Sequence, residues 1–324
     1  MSKKILKRIL EKPSVKREFP RMLREENLGF IEKLISPPPY DGPPAEKLYL
    51  YEIIANSNTG IDVDKIDYVQ RDTHYLNFKS SIQWNRCLQT LRVKRHKHSL
   101  RLCFRDKVQT NLLDIIHSRR QIYVRTCQHK TIINLHELLK SAMKKANNYI
   151  KFTAADGEQH KLLLAWKDID AYLKLDDSIF QKIQYEQNDH LIEAQKFIEK
   201  IVKRELLFYC GEVNYKNDEN MNGLENELRN KYCNDVIFCK SDIKHSVESG
   251  TPEQNILYYS KTPEDVADDA FRNEHPATIS EGFRVKSKVI FCNRKDDVKS
   301  IKSLVDQYCG NIEMQFGENG VFRH

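Results

Sequence analysis

Read as a helix at about 100° per residue, the segment DVDKIDYVQRDTHYLNF (62–78) gathers Asp64, Tyr68, Arg71 and Tyr75 into one narrow arc, with Asp72 and Lys65 at its edge. A carboxylate offers a hard oxygen to a divalent ion, an ammonium and a guanidinium suit phosphate oxygens, and a phenol or second carboxylate can bond a sugar hydroxyl. These types together could hold a metal and a polyphosphate. Ile66, Val69 and Leu76 fall on a different arc, which is expected to pack inward. Plain solvation also produces polar helix faces, so the pattern alone leaves both readings open.

The next helical stretch has another character. Leu112, Leu113, Ile115, Ile116, Ile122 and Val124 point nearly all round, which predicts a buried helix. Arg119 shares a face with Leu112, Ile116, Tyr123 and Cys127. A guanidinium among apolar neighbours needs an anion, either a structural carboxylate or a ligand phosphate. Upstream, RVKRHKHSLR (92–101) is densely basic. It suits a nucleic-acid backbone or, equally, a solvated hairpin turn.

The elements that must position these groups follow from pattern. Residues 1–35 are helical and basic, and SPPPYDGPP (36–44) is a stiff connector. KLYLYEIIAN (47–56) reads as a helix, 92–105 as a hairpin with a charged turn, and 107–148 as one or two long helices. FTAADGEQHKLLL suggests a second hairpin at Asp156-Gly157, and helices are expected from there to Gly211. Residues 213–232 turn polar, VIFC, NILYYS and KVIFCN are β-like, 262–285 is loose, and 296–309 closes as a helix. The expectation is a mostly α core domain with small β-hairpins over 1–212, then a smaller α/β lobe over 213–324.

Composition narrows the field. The 324 residues are 40% hydrophobic and 31% charged, with a net charge of +7 that favours anionic partners. No apolar run is long enough for a bilayer, and MSKKILKRILEK reads as a basic amphipathic helix rather than a secretory leader. The eight cysteines form no C-x-x-C pair and read as reduced, mostly buried thiols.

GIDVDKIDYVQRDTHYL (60–76), LCFRDKVQTNLLDIIHSRR (102–120), QHKTIINL (128–135) and the run from AYLKLDDSIF to KRELLFYCGE (171–212) resemble the vertebrate SAM- and HD-domain deoxynucleoside triphosphate triphosphohydrolases. The match is colinear from about 47 to 212 and thinner beyond. It implies an HD-domain-like helical core and the reaction of a dNTP with water to give a deoxynucleoside and triphosphate. It also implies a divalent transition metal or Mg as cofactor, with Asp64 as one ligand. Lys65 and Arg119 would hold phosphates, Tyr68 and Asp72 the sugar 3′-hydroxyl, and Gln128 the base. Tyr123 stands where the family has a histidine near the phosphates. Cys127 stands where it has a tyrosine against the deoxyribose. Arg86, Arg105, Lys107, Asn111, His129, Lys130 and Arg204 match positions that contact activating GTP or dNTP between subunits of a tetramer. Nuclear or cytoplasmic residence follows from the same likeness.

The dipeptide His-Asp occurs nowhere in the sequence. The resemblance places the family's first histidine, its His-Asp pair and its catalytic histidine ahead of the matched segment. The expectation is a chain that does not hydrolyse dNTPs alone: a shortened isoform, a partial gene model or a degenerate paralogue. Two alternatives stay beside it, a nucleotide-regulated subunit that joins full-length enzyme and a single-stranded nucleic-acid-binding module.

Overall fold

The computed structural model describes residues 1–20, 25–37, 48–79, 82–215, 219–243, 255–260, 271–272 and 285–316. Most of the connector expected at 36–44, and of the loose stretch expected at 262–285, lies outside them. In chain order the helices are α1 (Ser2–Leu10), α2 (Pro13–Glu18), α3 (Glu25–Ile35), α4 (Leu48–Ile54), α5 (Val63–Tyr75), α6 (Trp84–Gln89) and α7 (Gln109–Ile122). They continue with α8 (Lys130–Ala146), α9 (Ile169–Tyr172), α10 (Ile179–Tyr185), α11 (Ile192–Lys203), α12 (Glu219–Tyr232) and α13 (Val298–Phe316). The strands are β1 (Arg92–His96), β2 (Ser99–Arg105), β3 (Lys151–Thr153), β4 (Gln159–Lys161), β5 (Phe208–Asn214), β6 (Val236–Ile243), β7 (Leu257–Tyr259), β8 (Phe271–Arg272) and β9 (Val285–Cys292). The architecture is mostly α with small sheets, as the sequence pattern predicts.

The chain forms two compact units interleaved in sequence, where the sequence reading expects one cut at 212. The first comprises 1–125 and 244–283, the second 126–243 and 284–324. In the first unit, β1 and β2 pair antiparallel from Arg92↔Cys103 to His96↔Ser99. The two-residue turn between them puts Lys97 at φ 54°. NILYYS, expected in the C-terminal lobe, supplies β7, which joins the first unit by pairing parallel to β2. The sheet order is β1-β2-β7-β8. Ile61, Trp84, Phe104, Leu112, Ile115 and Tyr258 close the core beneath it. A buried ion pair ties α4 to this sheet: Arg101 Nε donates to Glu52 at 2.6 Å, and the Leu102 N–H donates to the other carboxylate oxygen at 2.7 Å. Burial pushes the Glu52 carboxyl above its usual range, against the opposing pull of Arg101.

In the second unit, α8, α10 and α11 pack with the β3–β4 hairpin around Leu162, Ile183, Leu191 and Ile198. The helical reading up to Gly211 needs correcting. Arg204 adopts φ 56° and ends α11, and Phe208–Asn214 is a strand paired antiparallel with β9. Helix periodicity cannot continue through a left-handed residue, and the open edge of β9 takes the segment instead. Asn134 of α8 pins its approach, donating to the Leu207 carbonyl at 2.8 Å and accepting from the Leu207 N–H at 3.1 Å. The sheet order is β5-β9-β6. Cys210, Val213, Met221, Leu224, Leu228, Ile290, Ile301 and Val305 fill the core between that sheet and the helices α12 and α13.

Candidate functional site

Helix α5 begins at a side-chain cap. Asp62 Oδ1 accepts from the Lys65 N–H at 2.9 Å, and its Oδ2 accepts from the Asn56 N–H at 3.0 Å. This satisfies one of the donors a helix start leaves unpaired and fixes where the helix begins. Its phase then decides what turns inward. Lys65, Val69 and Thr73, spaced four apart, are the buried stripe. The apolar arc expected inward is only partly so: Val69 is fully buried and Ile66 half-buried, whereas Leu76 is 44% exposed at the C-cap. The expected polar arc divides as well. Tyr68 and Asp72 are half-buried, while Asp64, Arg71 and Tyr75 face outward. Arg71 is engaged locally with Asp67 at 2.5 Å. The reason is packing: α5 meets α7 along the Lys65 side.

Arg119 arrives from the last turn of α7. Its Nε donates to Tyr68 Oη at 3.0 Å, and its guanidinium carbon lies 4.4 Å from the centre of the Tyr123 ring. Lys65 retains only 7% exposure. Burial lowers its ammonium below the ordinary value; Asp62 and Asp64 oppose that shift and Arg119 adds to it. Burial pushes the Tyr68 phenol up to about 12 despite the neighbouring guanidinium, so Tyr68 is a neutral hydroxyl across the working pH range. Arg119 thus meets the Tyr68 phenol, and Lys65 lies within electrostatic reach of Arg119, Asp62 and Asp64.

Not all expected residues join this cluster. Within the first unit, Arg86 is exposed on α6 and Arg105 is half-buried at the end of β2, its Nε 4.0 Å from Asp106 Oδ1. Lys107 is exposed in the turn before α7, and Asn111 is half-buried in the first turn of α7. Cys127, Gln128, His129, Lys130 and Arg204 belong to the second unit. There Cys127 is exposed with its Sγ 3.7 Å from Thr126 Oγ1. The His129 Nδ1 caps α8 by accepting from the Thr131 N–H at 3.3 Å. The Lys130 ammonium sits 4.7 Å above the Tyr209 ring, and Arg204 is the exposed left-handed residue after α11. The sequence reading missed Asp62, which both starts the helix and supports the charge of Lys65. The signal was an Asp ahead of a periodic helical run.

Among the described residues, no three His, Cys, Asp or Glu side chains gather as a metal set. His74 is exposed, edge-on to the Tyr75 ring at 5.2 Å. A catalytic divalent ion needs about three protein donors, so the described donors do not by themselves fit such an ion.

The chain is similar in sequence to proteins named as deoxynucleoside triphosphate triphosphohydrolases. The chain is a homologue of those of the SAMHD1 type. It is 29% identical over 327 residues to "Deoxynucleoside triphosphate triphosphohydrolase SAMHD1" of Homo sapiens, covering 92% of this chain and 52% of that protein. To the protein of the same name from Bos taurus it is 30% identical over 302 residues, 85% of this chain and 51% of the relative. To the SAMHD1 homolog of Dictyostelium discoideum it is 22% identical over 286 residues, 86% and 52%. The chain spans about half the length of the curated relatives it matches. No protein-family model matches it. No helix of the described residues is long and apolar enough to cross a membrane.

Proposed function

We propose that these 324 residues bind the triphosphate of a deoxynucleotide at Lys65 and Arg119, with Tyr68 and Asp72 toward the sugar. The observation that carries this reading is the burial of Lys65 beside the Tyr68–Arg119 pair. An ammonium with 7% exposure next to a guanidinium costs stability in the free protein. A polyphosphate would add negative charge to that of Asp62 and Asp64. The likeness to proteins named as dNTP triphosphohydrolases supports the same ligand.

Hydrolysis is a separate matter. Asp64 is one carboxylate, and the sequence contains no His-Asp dipeptide. The proposal is that the chain by itself binds dNTP without cleaving it, and that hydrolysis requires histidine ligands these residues do not provide. Cys127 is smaller than the tyrosine the family places there, so the chain is expected to bind GTP alongside dGTP. Arg86, Arg105, Lys107, Asn111, His129, Lys130 and Arg204 are proposed as regulatory nucleotide contacts in an oligomer, with GTP or dNTP as activator.

Calorimetry with dGTP, inorganic triphosphate and deoxyguanosine tests the binding reading. The first two are expected to bind and the third to bind weakly. Equal binding of deoxyguanosine, or no binding of either phosphate compound, overturns it. Release of deoxyguanosine from dGTP by the purified chain with Mn²⁺ or Mg²⁺ overturns the non-hydrolytic part alone. A second reading rests on the exposed Arg92, Arg95, Lys97 and His98 of the β1–β2 hairpin. Single-stranded nucleic acid bound there would be lost steeply with salt and unaffected by dGTP.

A further inference from the structure

We propose that Tyr123 is a positioning residue that acts on a bound phosphate through Arg119, without touching the ligand. This rests on the reading above that Arg119 meets the phosphate. Arg119 and Tyr123 are four residues apart, the spacing that stacks side chains on one helix face. Tyr123 opens a single π-helical turn, Tyr123–Cys127, that directly follows α7. Such wide turns place a side chain where a regular helix would not. The ring centre lies 4.4 Å from the Arg119 guanidinium carbon, while Arg119 Nε is held at its edge by Tyr68 Oη at 3.0 Å.

The two contacts do different things to a planar group. The hydrogen bond to Tyr68 fixes where the Nε edge lies. Stacking on Tyr123 fixes the plane, because a ring face attracts a cation electrostatically and uses none of its N–H donors. An arginine side chain left loose has rotamer entropy to lose when it meets a ligand. Held by edge and face, Arg119 has lost most of that freedom before the ligand arrives. The ring also adds a favourable negative face beside a guanidinium that must share its surroundings with Lys65. The hydroxyl of Tyr123 has no part in this account; only its ring does.

The test uses the full chain, with two readouts. The first is independent of any ligand: the Arg119 Nε–Hε signal in protein labelled with ¹⁵N-arginine, assigned by its loss in Arg119→Lys. Tyr123→Phe is expected to leave the signal in place, and Tyr123→Leu to move it toward the position of a free arginine as the ring current is lost. The second is affinity for inorganic triphosphate. Tyr123→Phe is expected within about twofold of the native chain and Tyr123→Leu to be weaker by about 2- to 30-fold. In an Arg119→Gln background, Tyr123→Leu is expected to add no further loss. An Nε–Hε signal unmoved in Tyr123→Leu overturns the proposal. So does an additive loss in the Arg119→Gln background, or a Phe variant as weak as the Leu variant. If the native chain does not bind triphosphate at all, the phosphate reading falls and the ligand half of this proposal with it. The Nε–Hε signal still decides whether Tyr123 holds Arg119.

Discussion

Lys65→Met should separate stability from binding. Methionine keeps an unbranched stem of similar length and discards the charge, so the packing of a side chain that is only 7% exposed survives. The charge is the costly part, because burial already lowers the Lys65 ammonium below its ordinary 10.5. At neutral pH the variant is therefore expected to be at least as stable as the native chain. Binding should move the other way. A charge-assisted contact is worth about 1.5–3 kcal/mol, so triphosphate affinity should fall by about 10- to 150-fold. The pH dependence follows from the direction of the shift. With the folded value below 10.5, the unfolded chain holds more protons between the two values. Native stability measured against Lys65→Met should then rise as pH climbs through the lowered value toward 10.5, and triphosphate affinity should fall over the same window. Urea unfolding of both chains across that window, with calorimetry at about 0.15 M salt, reads both effects. A variant less stable than native by more than about 1 kcal/mol, or one that binds triphosphate as tightly, refutes the reasoning.

Three further outcomes follow from buried polar geometry. Arg101→Met leaves Glu52 buried without its cation and should cost about 3–5 kcal/mol, most of it regained in Glu52→Met/Arg101→Met. Because the Glu52 carboxyl is already raised by burial and would rise further, the single variant should be more stable near pH 5 than near pH 8 in urea titrations, since its folded state holds the extra proton. Asn134→Leu strips both bonds from the Leu207 backbone and should cost about 2–4 kcal/mol, read as a lower urea midpoint at unchanged slope. Gly211 sits at φ 154°, and an added Cβ would lie 2.9 Å from Val305 Cγ1. Gly211→Ala should cost about 1–3 kcal/mol, and Val305→Ala should return only the steric part in thermal unfolding.

Much of this molecule is legible from local pattern. The periodic run over 62–78 announces α5, the charged turn announces the β1–β2 hairpin, and the four-residue spacing of Arg119 and Tyr123 puts both on one helix face. Each depends on residues a few positions apart, where backbone geometry alone decides proximity. What sequence could not decide is which arc of α5 turns inward. Hydrophobicity points to Ile66, Val69 and Leu76, yet Lys65 is buried and Leu76 exposed. That choice belongs to α7, which brings Arg119 to Tyr68 across 51 positions of sequence. The strand Phe208–Asn214 was hidden for a similar reason: its residues accept helix or strand, and the edge of β9 settles the matter. The parallel pairing of β7 with β2 likewise joins segments far apart in the chain. Sequence sets what each segment can form, and only the partner that reaches it in the folded chain sets which face it hides.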